Sequence, residues 1–196
     1  MKKIYRFVLY ILGATCILVF CLSYRFETQI STGPANELAV AFITQDDYIV
    51  QELEINCVEI SNVAIRFATY QNDENNEGLI HVKMTSIDDN QILFEEDITI
   101  EKIKDNQFYY IPVTNKKKSK SKKYYLEITG KEVSKKTTLA IYGYETDDNK
   151  LVINDTINSK AISVICNCTR RNKSLLIYLA FYILIIGLVE CIKYYK

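Results

Sequence analysis

His81 is the only histidine among 196 residues, so any Ser-His-Asp or Cys-His catalytic arrangement has to be built on it. No Gly-x-Ser-x-Gly elbow is present to supply a nucleophile. His81 itself falls at a half-exposed position of the alternating stretch LIHVKM. Paired carboxylates are the other route to hydrolysis, because glycoside cleavage needs only two acids at a set separation. With 23 acidic residues between positions 27 and 169, such pairs arise by chance and mark no site. The expectation is a protein without catalytic residues.

Binding chemistry is better represented. The central stretch carries Tyr48, Tyr70, Tyr109, Tyr110, Tyr124, Tyr125, Tyr142 and Tyr144, and the chain has no tryptophan. A tyrosine ring stacks on a sugar ring while its hydroxyl bonds sugar hydroxyls. Tyr70 and Tyr144, with Arg66 and His81 as polar companions, form the candidate ligand-binding set. In each Tyr-Tyr pair the rings point to opposite faces of a strand, so one ring of each pair belongs to the core. Lys116, Lys117, Lys118, Lys120, Lys122 and Lys123 form a loop able to grip an anionic polymer or lipid headgroups by charge. The same run also reads as a solvated hairpin tip. Asp46-Asp47, Asp88-Asp89-Asn90 and Asp147-Asp148-Asn149 offer oxygen donors for a structural calcium, without EF-hand spacing. Ordinary turn chemistry accounts for them equally. No other cofactor is expected.

Of six cysteines, Cys16, Cys21 and Cys191 sit in hydrophobic runs and read as small apolar fillers. Cys57, Cys166 and Cys168 permit at most one bridge, from Cys57 to either of the other two. With a single histidine, a zinc set around Cys166 and Cys168 is hard to complete.

These residues are positioned by a chain with two hydrophobic ends. Residues 175–189, LLIYLAFYILIIGLV, hold no charge, and eleven of them are Leu, Ile, Val or Phe. Each contributes roughly −0.3 to −0.6 kcal/mol toward insertion, so a transmembrane helix over 174–192 is expected. A basic head, MKKIYR, precedes the uncharged run beginning at Phe7. That run reads as a transmembrane helix over 7–24 or as a cleaved signal peptide, with Cys21 at minus three of a poor cleavage site after Ser23. LVFC at 18–21 touches a lipoprotein signal, but Phe20 replaces the small residue expected there.

Lys2, Lys3 and Arg6 keep the head cytoplasmic, sending residues 38–169 outside and returning the tail at 193–196 to the cytoplasm. Arg170, Arg171 and Lys173 oppose this order, but long loops translocate with little regard for charge. Between Glu27 and Thr169 stand 15 basic and 23 acidic residues, a net −8, while the flanks carry +8. Basic flanks suit anionic headgroups, and an acidic domain excludes a general nucleic-acid binder.

After a polar linker over 25–37, the domain reads as β-branched and aromatic runs broken by polar loops every eight to fifteen residues. In NVAIRFATY, residues 62–70, Val63, Ile65, Phe67 and Thr69 share one face. The polar loop 71–78 closes on Gly78 as a hairpin connection, and LIHVKM resumes the sheet. Pro112 places QFYYIPV at an edge. Ile49, Leu53 and Ile55 are candidate core residues, and eight to ten strands are expected.

The succession NVAIRFATY, polar loop, LIHVKM, DNQFYYIPV, basic gap and KKYYLEITG resembles jelly-roll modules of bacterial envelope proteins. Some of these accompany membrane glycosyltransferases or surface-polysaccharide machinery. The resemblance spans residues 48–145 and implies a fold related to carbohydrate-binding modules, with no catalytic residues. The two-span layout is similar to polysaccharide chain-length determinants in topology only. The expected protein is an all-β jelly-roll-like sandwich flanked by two transmembrane α-helices, two-pass in a cell membrane. Its expected partners are membrane lipid, envelope polysaccharide and a membrane protein complex. The expected role is glycan binding or accessory service to a polysaccharide machinery; assembly through spans and sheet edges is the alternative.

Overall fold

The computed structural model describes residues 15, 25–33, 37–72, 75–115, 122–147, 151–171, 178–179, 181–183, 185–186 and 189. The chain divides into two compact units, Glu27–Thr169 and a second made of Met1–Phe26 with Arg170–Lys196. In order, the described strands are β1 (Arg25–Ser31), β2 (Leu38–Phe42), β3 (Tyr48–Glu54), β4 (Glu59–Ala68), β5 (Leu79–Ser86), β6 (Ile92–Thr99) and β7 (Gln107–Pro112). After them come β8 (Lys123–Gly130), β9 (Ala140–Glu145), β10 (Leu151–Ile153), β11 (Thr156–Asn158), β12 (Lys160–Ile162) and β13 (Val164–Arg171).

They form two sheets. Across sheet A run β1, β13, β4, β9 and β12, with β2 added to β9 and β7 to β4. Across sheet B run β11, β10, β3, β8, β5 and β6. The protein is an all-β sandwich. Period-two alternation builds its core: Val63, Ile65 and Phe67 from sheet A meet Ile49, Leu53, Val82 and Leu126 from sheet B, all sealed from water. Each such side chain contributes about 1.5–3 kcal/mol by leaving water.

The chain changes sheet at eight of the twelve connections between the described strands, as from β3 in sheet B to β4 in sheet A to β5 in sheet B. Loop 71–78 is therefore an arch across the sandwich and not the hairpin its sequence suggested. Gly78 ends it at φ +128, where a Cβ would lie 2.1 Å from the Glu132 carbonyl oxygen. Residues 25–37 are not all linker, since Arg25–Ser31 is a strand beside β13. The strand count exceeds the expected eight to ten because β10, β11 and β12 are only three residues each. β10 and β11 are joined by the two-residue turn Asn154-Asp155, at φ 47 and 65, a mirror-image turn that asparagine and aspartate tolerate.

Tyr124 is buried and Tyr125 exposed, as alternation requires. Pro112 does end an edge strand, β7. At that rim Glu96, opposite inward-facing Val82, accepts a 3.4 Å bond from the Tyr109 hydroxyl. An inward carboxylate on edge strand β6 discourages pairing with a foreign sheet.

The bridge from Cys57 to β13 is not formed, because Cys166 and Cys168 are free thiols buried in the core. Lying two residues apart on β13, both face inwards, opposite Val63 and Ile60. Burial, with Cys168 adding to it, pushes the Cys166 thiol up to about 12.

Thr15 and the described residues from 178 to 189 have helical backbone. Among the described residues no helix is long and apolar enough to cross a membrane. Most of segments 7–24 and 174–192, and residues 116–121 of the lysine run, lie outside the described residues.

One polar side chain ties the sheets together through the core. Gln51 of β3, buried between Ile49 and Leu53, accepts the Ile162 N–H at 2.5 Å and donates to the Ile162 carbonyl at 3.4 Å. Ile162 ends β12, and the next residue, Ser163, donates to the Tyr142 carbonyl before β13 begins. β12 packs so close to β9 that a Cβ on Gly143 would lie 1.9 Å from the Ala161 carbonyl oxygen. Gln51→Leu keeps the volume but leaves the Ile162 N–H buried without an acceptor. The expected loss is about 1–3 kcal/mol in urea denaturation followed by tyrosine fluorescence; a loss under about 0.5 kcal/mol contradicts the staple.

Candidate functional site

The outward face of sheet A is aromatic. Register places Phe108 beside Arg66 and Tyr110 beside Ala64 across β7 and β4. On the other flank, Ala140 lies beside Ala68 and Phe42, and Tyr142 beside Ala39. Ala64, Ala68 and Ala140 point away from the core yet are at most 2% exposed. Small residues in those positions let the neighbouring rings and the Arg66 stem lie over the sheet. Phe42, Tyr70 and Tyr110 remain about half exposed, at 56%, 47% and 51%.

Arg66 stands at the centre. Its guanidinium carbon is 5.0 Å from the Tyr142 ring centroid and 5.8 Å from that of Phe108. Two ring faces beside one cation stabilise it by about 0.5–1 kcal/mol each at such partly exposed sites. Nη1 donates to the Glu37 carboxylate at 2.5 Å, with side chains 27% and 9% exposed respectively. Arg66 Nε is sealed from solvent and has no acceptor among the described residues. A buried unpaired donor costs about 1–3 kcal/mol, so this guanidinium is held with one of its donors unsatisfied.

Tyr70 sits at the end of this face in a strained turn. Tyr70 and Gln71 have φ 52 and 57, and Asn72 N–H donates back to the Thr69 carbonyl at 3.1 Å. Such a turn ordinarily takes glycine or asparagine. The surroundings impose it: Asp105 Oδ1 accepts the N–H groups of Thr69 and Tyr70 at 2.7 and 2.9 Å. Buried Asn76 donates to the Thr69 carbonyl and accepts the Thr138 N–H. The Tyr70 ring then stacks on Phe42, centroids 6.0 Å apart and planes at 17°. Burial, then Tyr142 and Asp105, raise its hydroxyl above the ordinary tyrosine value.

The candidate set named from sequence is divided by the fold. Arg66, Tyr70 and Tyr144 all belong to sheet A or its end. Tyr144 is half-covered by the backbone at Gly33, where a Cβ would lie 2.9 Å from its ring. His81 lies on the opposite sheet, because β5 belongs to sheet B. There Nδ1 is 2.6 Å from Asp97 and Nε2 3.1 Å from Glu95, so the nitrogen on which a triad holds its nucleophile faces a carboxylate. Lys131 also reaches Asp97 at 2.8 Å, and the hydrogen bonds from Lys131 and His81 hold that carboxyl below its ordinary value. The outward face of sheet B is thus a ladder of charges, continued by Lys83 with Glu127 and Lys123 with Glu52. The bond to Glu52 raises Lys123 above the ordinary lysine value.

In two of the acidic turns a carboxylate is taken up by neighbouring backbone and side-chain donors, while Asp148 and Asn149 of the third lie outside the described residues. Asp47 accepts from Thr44 N–H, Thr44 hydroxyl and Asn154, and although burial pushes its carboxyl up, these bonds bring it below the ordinary value. Asp89 is lowered by the Ser86 hydroxyl and also accepts the Gln91 N–H. No group of three or more His, Cys, Asp or Glu able to hold a metal occurs among the described residues.

Sequence reasoning missed Phe42, Phe108, Tyr142 and Glu37 as members of this face. Phe108 and Tyr110 were readable as one face of an alternating strand; Glu37 lies 29 positions from Arg66 and left no local signal.

No family model matches the chain, and no curated protein matches it. Among solved structures, it is similar to a family two carbohydrate esterase from Cellvibrio japonicus, at 8% identity and a TM-score of 0.34 over 74% of this chain and 34% of that one. Infectious bursal disease virus structures are similar at 8% identity and a TM-score of 0.30 for the Gx strain, and 10% and 0.25 for the Gt strain. They are matched over 76% of this chain and 37% and 31% of theirs. The chain spans about a third of the length of these structures, and likenesses this distant add nothing to what its own strands establish.

Tyr70→Asn tests whether the turn stores strain for the sake of its ring. Asparagine tolerates the left-handed region, so stability is expected to hold or rise by up to about 1 kcal/mol despite the lost stack. A loss above about 1 kcal/mol in the same denaturation assay shows instead that the ring is structural.

Proposed function

We propose that this chain is a membrane-anchored, extracytoplasmic β-sandwich that recognises an envelope glycan, or serves a surface-polysaccharide machinery as an accessory subunit, without catalysing a reaction. The observation that carries this reading is the aromatic outer face of sheet A. Phe42, Tyr70, Tyr110 and Tyr142 offer ring faces for sugars on a floor kept level by alanines. The jelly-roll resemblance, the basic flanks and the two hydrophobic runs support the placement. The charge ladder on sheet B favours water on that side, which makes the two faces chemically unlike.

A second reading rests on the described helical residues. Tyr178, Phe181, Tyr182, Ile185 and Val189 fall on one helical stripe, and all are exposed. This favours a structural role in which the stripe meets lipid or the helix of a partner.

The test is a glycan-array assay on the full-length chain in detergent. Binding is expected to persist in high salt and after neutralisation of the lysines at 116–123. Tyr110→Ala and Tyr142→Ala are each expected to weaken it by about 1–2 kcal/mol, roughly five- to thirtyfold. Tyr125→Ala, on sheet B, leaves it unchanged. Absence of binding, or binding that vanishes with the lysines alone, overturns the glycan reading.

A further inference from the structure

We propose that the row Tyr142, Arg66, Phe108 takes a carboxylate-bearing sugar, a uronic acid unit of a polysaccharide, and that Glu37 holds the guanidinium until that carboxylate replaces it. This deepens the glycan reading and rests on it. The rings at 5.0 and 5.8 Å flank the guanidinium carbon, so partners must approach along its N–H edge. The partner that fits an N–H edge is a planar carboxylate, which can accept two parallel bonds; a lysine ammonium in this position would present only a point charge. Glu37 already places such a group there, through Nη1 alone, while Nε has no acceptor among the described residues. A carboxylate entering in its place can span Nη1 and Nη2, making two parallel bonds where Glu37 makes one through Nη1.

The surroundings suit the rest of the sugar. Tyr110, about half exposed beside Ala64 on the same face, offers its ring to the pyranose. Charge at a distance does not account for such binding, because residues 27–169 carry a net −8 and repel a polyanion as a whole. Recognition must come from contact with Arg66.

The experiment compares polygalacturonate, alginate and hyaluronan with their methyl-esterified forms, binding to the full-length chain in detergent. The ester keeps the ring and removes the charge. The unmodified chain is expected to bind at least one acid polymer tenfold or more tightly than its ester. Glu37→Gln should tighten the acid form three- to tenfold and leave the ester unchanged, since the internal competitor is gone. Arg66→Lys should bring acid and ester to equal affinity. The double variant Arg66→Gln/Glu37→Gln, which leaves no unpaired charge behind, should do the same if Arg66→Lys fails to fold. Equal binding of acid and ester by the unmodified chain, still weakened by Tyr142→Ala, overturns this inference and leaves the glycan reading standing. Weaker acid binding by Glu37→Gln also overturns it. No binding to either form, or to the neutral glycans of an array, overturns both.

Discussion

The bond pair between Gln51 and the Ile162 backbone is the constraint on which the layout of sheet A depends. In a low-dielectric core an amide is tolerated only when its partners are fixed, so Gln51 sets where β12 ends relative to β3. Ser163 then turns the strand, and β9 passes from β12 to β4 as its neighbour. Gly143 admits the close approach of β12 that this exchange needs. Tyr142, beside Gly143, arrives next to Arg66 as a consequence. The aromatic face is thus anchored from behind, through the core, by a side chain that never reaches it.

Two departures from local consistency lie on that same face. Tyr70 occupies a backbone region that suits asparagine or glycine, and Arg66 keeps a buried donor without an acceptor among the described residues. Exposed rings add a solubility burden. Sheet B differs in carrying pairs such as Lys83 with Glu127 and His81 with Asp97 at its outward positions, alongside exposed Tyr48 and Tyr125. The strained turn at Tyr70 and Gln71 belongs to the sheet A face, while exposed rings occur on both sheets, Tyr48 and Tyr125 being those of sheet B.

The core was legible in the sequence because alternation is a local property. Val63, Ile65 and Phe67 announced their face, Ile49, Leu53 and Ile55 their burial, and Pro112 its edge. Pairing was not legible, because it joins segments far apart in the chain. Loop 71–78 has the composition of a hairpin turn, and nothing within it records that β4 and β5 belong to different sheets. RFETQIS carries too many polar residues to read as a strand, and it is one through its place beside β13. The site divides in the same way. Arg66 and the tyrosines were visible as residue types, while the separation of His81 and the arrival of Glu37 follow from topology alone.

The most direct test of a functional face on sheet A compares tyrosine nitration of the chain in whole expressing cells with that of the purified full-length chain. Nitration reads coverage of a ring whatever the covering ligand is, and with no tryptophan in the chain, tyrosine serves as the reporter on both faces. The account predicts that Tyr70, Tyr110 and Tyr142 are protected in cells relative to the purified protein, while Tyr48 and Tyr125 on sheet B react alike in both. Equal reactivity of the two sets in both states, or protection confined to Tyr48 and Tyr125, contradicts it.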